Sequence, residues 1–100
     1  MFEATDDTGK RVGFLSVQKG EDGMATIDHI QADDDNTDIL RDLIERAMRY
    51  LAKKGIMDVS IRVADQGNAL EHVLHDHFDF HREGEEGDDR IYKAHVKPLH

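Results

Sequence analysis

Carboxylate and imidazole side chains carry nearly all the chemistry this sequence offers: 22 acidic residues and 7 histidines in 100, with no cysteine. Absence of a thiol removes disulfides and thiolate nucleophiles from consideration. The densest acidic run is Asp33-Asp34-Asp35-Asn36. Asp34, Asn36, Asp38, Asp42 and Glu45 fall at positions 1, 3, 5, 9 and 12 of a calcium-loop template, the oxygen spacing a hard cation needs. Ile39 stands where that template requires glycine for its sharp turn, and Arg41 where it requires an apolar residue, so the run reads first as a solvated acidic cap. A second cluster is His72, His75, His77 and His81 with Asp76 and Asp79 between them. His72 and His75 are one helical turn apart and could share a metal such as zinc, nickel or copper, but no ligand outside the stretch is tied to them by spacing, and surface histidines are the simpler reading. Ser16 and Ser60 sit in strand-like segments without an elbow motif. No catalytic residue and no metal ligand is assigned.

The elements that position these groups follow from periodicity. Leu40, Leu43, Ile44, Ala47, Met48 and Leu51 recur at helical spacing, with Arg41, Asp42, Glu45, Arg46, Arg49 and Lys53 opposite. That pattern predicts an amphipathic helix between Asn36 and Gly55. Asn36 or Thr37 caps it, Asp38 meets the positive end of its dipole, and Gly55 ends it in the left-handed conformation. Before it, Phe2 and Ala4 suggest a short strand. Arg11 to Gln18 forms a second strand, with Gly13 a bulge or close-approach point, and Lys19-Gly20-Glu21-Asp22-Gly23 a hairpin turn. In the return strand, Met24 to Ala32, Ile27 and Ile30 lie three apart, which breaks alternation and calls for a bulge. After the helix, Val59, Ile61 and Val63 alternate cleanly and belong to a central strand. Asp65-Gln66-Gly67-Asn68 turns into a short helix from Ala69 to about Phe78. Phe78 and Phe80 begin a further strand, Glu83 to Asp89 reads as an acidic turn, and Arg90 to Val96 returns with Tyr92, Ala94 and Val96 on one face. The single proline, Pro98, falls near the end.

One hundred residues, 38% hydrophobic and 35% charged, suit one globular domain. A net charge of −9 argues against a binder of nucleic-acid backbone, which needs clustered Lys and Arg. No apolar run approaches the roughly 20 residues that span a bilayer, and the first seven residues lack the basic start and apolar core of a secretory leader. The expectation is a cytoplasmic protein with neither membrane nor nucleic-acid partners.

The predicted order β-β-β-α-β-α-β-β, an α/β arrangement with a mixed, mostly antiparallel sheet and one long and one short helix, resembles the later part of the GNAT (general N-acetyltransferase) superfamily over residues 11 to 96. Ala25-Thr26-Ile27-Asp28-His29-Ile30-Gln31-Ala32 is similar to that family's bulged strand, whose backbone pairs with the pantetheine arm of acetyl-CoA. The resemblance implies cofactor contacts at Ile30 and Ala32. In the family, the loop before the long helix carries Arg or Gln and then two glycines, so that bare backbone N–H groups wrap the pyrophosphate. Aligned on Leu43-Ile44, those positions are Asp35, Asp38 and Leu40 here. The tyrosine that often protonates the departing thiolate is replaced by Val73, and the glycine before Phe78 by His77. The family's first strand and two helices, which build much of the acceptor site, have no counterpart. The resemblance therefore implies a GNAT-like domain without an intact pyrophosphate loop, a non-catalytic binding or regulatory module with no cofactor. The alternative is a small acyl-CoA-dependent N-acetyltransferase that binds acetyl-CoA weakly. Incomplete cover of the sheet further implies a homo-oligomer or a protein partner.

Overall fold

A computed structural model describes residues 2–20, 23–63 and 68–96. Parts of two expected turns, Glu21-Asp22 and Asp65-Gln66-Gly67, lie outside the described residues, as does Pro98. Six strands and two helices follow in the order β1 (Phe2–Thr5), β2 (Arg11–Lys19), β3 (Met24–Ala32), α1 (Thr37–Lys53), β4 (Asp58–Val63), α2 (Asn68–His77), β5 (His81–Glu86) and β6 (Asp89–His95). The strands form one sheet in the spatial order β1-β2-β3-β4-β6-β5. All its pairings are antiparallel except β3 with β4. The expected mixed α/β fold is present, and β4 is interior as its alternation requires.

The core lies between one face of this sheet and the two helices. Leu40, Leu43, Ile44, Ala47 and Leu51 of α1 are buried, as are Leu15, Ala25 and Ile27 of β2 and β3, Val59, Ile61 and Val63 of β4, and Val73 and Leu74 of α2. The apolar stripe of α1 is thus spent on β1, β2, β3 and α2. Burying a Leu or Ile side chain contributes roughly 1.5–3 kcal/mol, so this layer dominates the stability. The helix ends are closed locally. Asn36 caps the start, and at the other end Ile56 N donates to Leu51 O at 3.0 Å and Gly55 N to Ala52 O at 3.2 Å. With φ +75° at Gly55, this is a Schellman motif, a conformation a side chain at that position would resist.

Two register shifts shape the middle of the sheet. Ser16 pairs with His29 and Val17 with Ile27, leaving Asp28 as the extra residue of β3. That bulge is the one the Ile27/Ile30 spacing demanded: it brings Ile30 and Ala32 back onto the helix-covered face. Gly13 is a close-approach point, with the helix face of β2 lying directly under Ile39 and Leu43 of α1. The extra residue where β2 slips against β1 is its neighbour Val12.

Both expected boundaries of β5 are wrong. Phe78 and Phe80 do not begin β5: they precede it and stack edge to face at 6.3 Å, with Phe80 buried. The acidic stretch expected to turn from Glu83 onward is instead strand up to Glu86, and the turn is confined to Gly87-Asp88. The physical reason is that β5 is an edge strand which hydrogen-bonds to β6 while its described side chains stay exposed, so its composition is that of a loop.

Candidate functional site

Parallel pairing of β3 with β4 runs from Met24↔Asp58 to Ile27↔Ile61 and stops there. Beyond it β3 continues through Asp28–Ala32, paired among the described residues to β2 alone, while β4 continues through Arg62 and Val63, paired to β6. The two strands therefore splay apart at the bulge. Between them opens a cleft of about 930 Å3. Ile30, Ala32, Leu40 and Leu70 line its helix side, and Phe14, Gln31, Ser60 and Ile91 its open side. Thr26 Oγ1 and Ser60 Oγ share a hydrogen bond of 3.2 Å at its base, where the strands still touch. Arg62 Nε meets Asp89 Oδ2 at 3.4 Å on the β4/β6 wall. Asp28 and His29 complete the polar lining.

The α1 N-terminus closes one end. Asp33–Asp35 makes a single 3-10 turn in which Asp34 takes φ 55° and ψ 26°, the only positive φ outside glycine among the described residues. Aspartate tolerates that left-handed conformation better than most residues. Asn36 N then donates to Asp33 O at 3.1 Å. Asn36 Oδ1 accepts from the backbone N–H groups of Asp38 at 3.0 Å and Ile39 at 3.3 Å, while Leu40 N donates to Asn36 O at 3.1 Å. Two of the first three donors of the helix, those of Asp38 and Ile39, are thus taken by a side chain of the chain itself. Asp33, Asp34 and Asp38 are exposed around them, and Leu40 is buried with its side chain against the cleft.

Of the sequence-derived positions, Ile30, Ala32 and Leu40 meet in the cleft, Asp38 stands beside it in the first turn of α1, and Asp35 closes the 3-10 turn. The calcium-template residues are not gathered: Asp42 pairs with Arg46 at 2.7 Å and Glu45 with Arg49 at 3.4 Å along the helix, while Asn36 is committed to its cap. His72, His75, His77 and His81 are all exposed; His72 lies 3.5 Å from Asp76 and His81 2.5 Å from Glu83. Among the described residues no group of three His, Cys, Asp or Glu is placed to hold a metal ion. Val73 is 1% exposed in the core, and His77 is exposed at the end of α2.

One polar cluster escaped the sequence. Tyr92 Oη donates to Glu71 Oε2 at 2.5 Å, and Arg90 Nη1 meets Glu71 Oε1 at 2.7 Å, all three partly buried where α2 crosses β6. Burial first, then the bond to Glu71 and its charge, hold the Tyr92 hydroxyl above its ordinary range. Strand alternation could have placed Arg90 and Tyr92 on one face, but nothing local points to Glu71.

Both helices pack on one face of the sheet. Alternation puts Phe14, Thr26, Ser60, Arg62, Ile91 and Lys93 on the other, which no described helix covers. No described helix is long and apolar enough to cross a membrane.

The backbone is similar to those of several solved acetyltransferases. The PaiA N-acetyltransferase from Thermoplasma acidophilum, in complex with coenzyme A, superposes with TM-score 0.78 at 20% identity, over 90% of this chain and 57% of that one. A GNAT-family acetyltransferase from Staphylococcus aureus Mu50 gives 0.83 at 15% identity, over 95% and 66%. The ribosomal-protein-S18-alanine N-acetyltransferase from Escherichia coli gives 0.74 at 18% identity, over 95% and 68%. The chain thus spans about three fifths to two thirds of the length of these proteins. No family model and no curated protein matches its sequence.

Proposed function

We propose that this chain, which has the GNAT fold, is a non-catalytic binding or regulatory module rather than a working acetyltransferase. The observation that carries the reading is the α1 N-terminus. A pyrophosphate needs free N–H groups there, and those of Asp38 and Ile39 already donate to Asn36 Oδ1. An entering anion must displace that cap and then face Asp33, Asp34 and Asp38. The helix dipole offers at most about 2 kcal/mol. A unit charge about 4 Å away opposes it by roughly 1 kcal/mol in water and about 4 near a protein surface. Several carboxylates together outweigh the dipole, and Leu40 puts a side chain where backbone must approach. The residues present therefore fit the pantetheine half of acetyl-CoA, along the free β3 edge, and do not fit its pyrophosphate half.

In this reading the uncovered sheet face meets a protein partner or a second copy of the chain, in a cytoplasmic setting. Sedimentation giving a clean monomer at high concentration would remove the self-association arm.

The rival reading is a small acyl-CoA-dependent N-acetyltransferase with an altered loop. It is favoured by the open β3–β4 cleft and by the likeness to a structure holding coenzyme A. Calorimetric titration with acetyl-CoA separates the two. The expected dissociation constant is millimolar or weaker, with no acyl transfer to generic amines. Asp35→Arg with Asp38→Gly should tighten binding measurably, because the pair removes two negative charges, adds a positive one and frees backbone. Micromolar affinity in the unmodified chain overturns the non-catalytic reading and promotes the rival.

A further inference from the structure

We propose that the β3–β4 cleft receives an extended basic segment of another protein, which adds as a strand to the free edge of β3 and sets Lys or Arg side chains against Asp28, Asp33 and Asp34. The inference rests on the reading of the α1 N-terminus as closed to pyrophosphate, and names what the cleft holds instead.

Three features converge on that occupant. The first is the edge itself. From Asp28 to Ala32 the β4-facing side of β3 has no place in the β3–β4 ladder, although β3 remains in register with β2 on its other side. At about 3.3 Å per residue, that edge is roughly 16 Å long. Backbone donors and acceptors at strand spacing are what such an edge pairs with, and a peptide main chain supplies both in alternation. The outer edges of the sheet are poorer templates: β1 has four residues, and β5 carries a register shift at Glu83 and exposed charges.

The second feature is the shape of the cleft. An inserted strand points successive side chains to opposite faces. One set would meet Ile30, Leu40 and Leu70 beneath the helices, and the other Phe14 and Ile91 on the open face. The helix-side wall is apolar, while the open wall sets Gln31 and Ser60 beside Phe14 and Ile91, so one set of alternating side chains can bury apolar surface and the other can also meet polar groups.

The third is charge. Asp28 lines the cleft, and exposed Asp33 and Asp34 follow directly where the free edge ends. The sequence has no Lys or Arg between Lys19 and Arg41. Among the described residues lining the cleft the one Lys or Arg is Arg62, which is engaged with Asp89. A positively charged strand is drawn in by this arrangement and an acidic or phosphorylated one is repelled.

The test uses the full chain and a fluorescein-labelled peptide of alternating Val and Thr ending in two lysines. Controls are the same peptide ending in two glutamates, and a version with proline at its centre, which removes a main-chain donor. Fluorescence polarisation should show the basic peptide binding at least about tenfold tighter than the acidic one. The proline version should bind more weakly than its parent, and added salt should weaken the basic peptide. In 15N spectra the amides of residues 28–32 should shift. Asp33→Asn with Asp34→Asn should lower affinity about fivefold, each exposed carboxylate contributing a small increment. Both sites are exposed and Asn tolerates the positive φ at position 34, so an unchanged melting curve certifies the fold. Equal binding of the acidic peptide, indifference to the central proline, shifts confined to other residues, or no peptide binding at all overturns the inference. If acetyl-CoA is also inert, only this inference falls. If acetyl-CoA binds at micromolar concentration, the reading beneath it falls too.

Discussion

Replacing Gly13 with alanine tests whether the closeness of α1 to β2 holds the fold and shapes the cleft. A Cβ at that position would lie 2.8 Å from Ile39 Cγ2, 2.9 Å from the carbonyl oxygen of Gln31 and 3.3 Å from Leu43 Cδ1. The Ile39 contact can be relieved by a side-chain shift. The Gln31 oxygen cannot move so freely, because β3 is held to β2 by the Gly13↔Ala32 and Phe14↔Gln31 register. Overpacking of this kind costs about 1–3 kcal/mol. Gly13 does not occupy the left-handed region, so alanine also stiffens the unfolded chain and returns about 0.4–1 kcal/mol. The expected net loss is roughly 1–2 kcal/mol. For a domain of this size that lowers Tm by about 5–15 °C, measurable by circular dichroism and urea titration. A Gly13→Ala, Ile39→Ala double variant should recover part of the loss, with a coupling energy above about 0.5 kcal/mol. The first turn of α1 carries Leu40 into the cleft, so amide shifts in the single variant should extend from β2 to residues 37–40. A Gly13→Ala variant as stable as the parent would refute the packing argument.

Other expectations follow from the same geometry. Asn36→Ala removes the acceptor for the Asp38 and Ile39 N–H groups and should cost about 1 kcal/mol by urea titration, while Asn36→Asp, which also caps, should cost little. The Tyr92 hydroxyl is held above its ordinary range, so as pH climbs past about 10 the unfolded chain loses that proton first; stability is unaffected below that point and falls as pH rises toward the folded value. Tyr92→Phe should abolish this alkaline loss, read from urea midpoints across the range, at about 1–2 kcal/mol near neutral pH for the lost bond to Glu71. Asp6 is held below the usual carboxylate range, chiefly by the Thr8 hydroxyl, so its contribution is present above about pH 4 and fades as pH falls further. Asp6→Asn should flatten that acid limb of the stability profile.

What could be read in the sequence was what local periodicity encodes. The stripe Leu40, Leu43, Ile44, Ala47 and Leu51 fixes α1 because those residues are buried, and the Ile27/Ile30 interval fixes the bulge because both must reach one face. The edge strand β5 was illegible for the opposite reason. His81 to Glu85 bury nothing, and what pairs them is the backbone of β6, to which composition is indifferent. In the site, Asp38 and Leu40 were locatable because they follow from the helix register. The Thr26–Ser60 bond, 34 residues apart, depends on the parallel register of β3 with β4, and the Glu71–Tyr92 bond, 21 residues apart, on how α2 crosses β6.

The two halves of the cleft differ in what makes them specific. Its strand half is backbone: a splay between β3 and β4 that begins where the bulge at Asp28 interrupts β3. TM-scores of 0.74–0.83 at 15–20% identity describe that kind of conservation of path without conservation of side chains. An anion-binding helix end depends instead on side chains being absent, since N–H groups must be bare and carboxylates distant. Here Asn36 takes the N–H groups of Asp38 and Ile39, Asp33, Asp34 and Asp38 are exposed around them, and Leu40 lines the cleft. On the proposed reading, affinity for an anionic cofactor is set by a handful of side chains that leave the backbone path untouched. On that same reading, the side chains that would weaken pyrophosphate binding would strengthen binding of a cation, and a backbone edge left open beside them would favour a ligand that carries amides as well as positive charge.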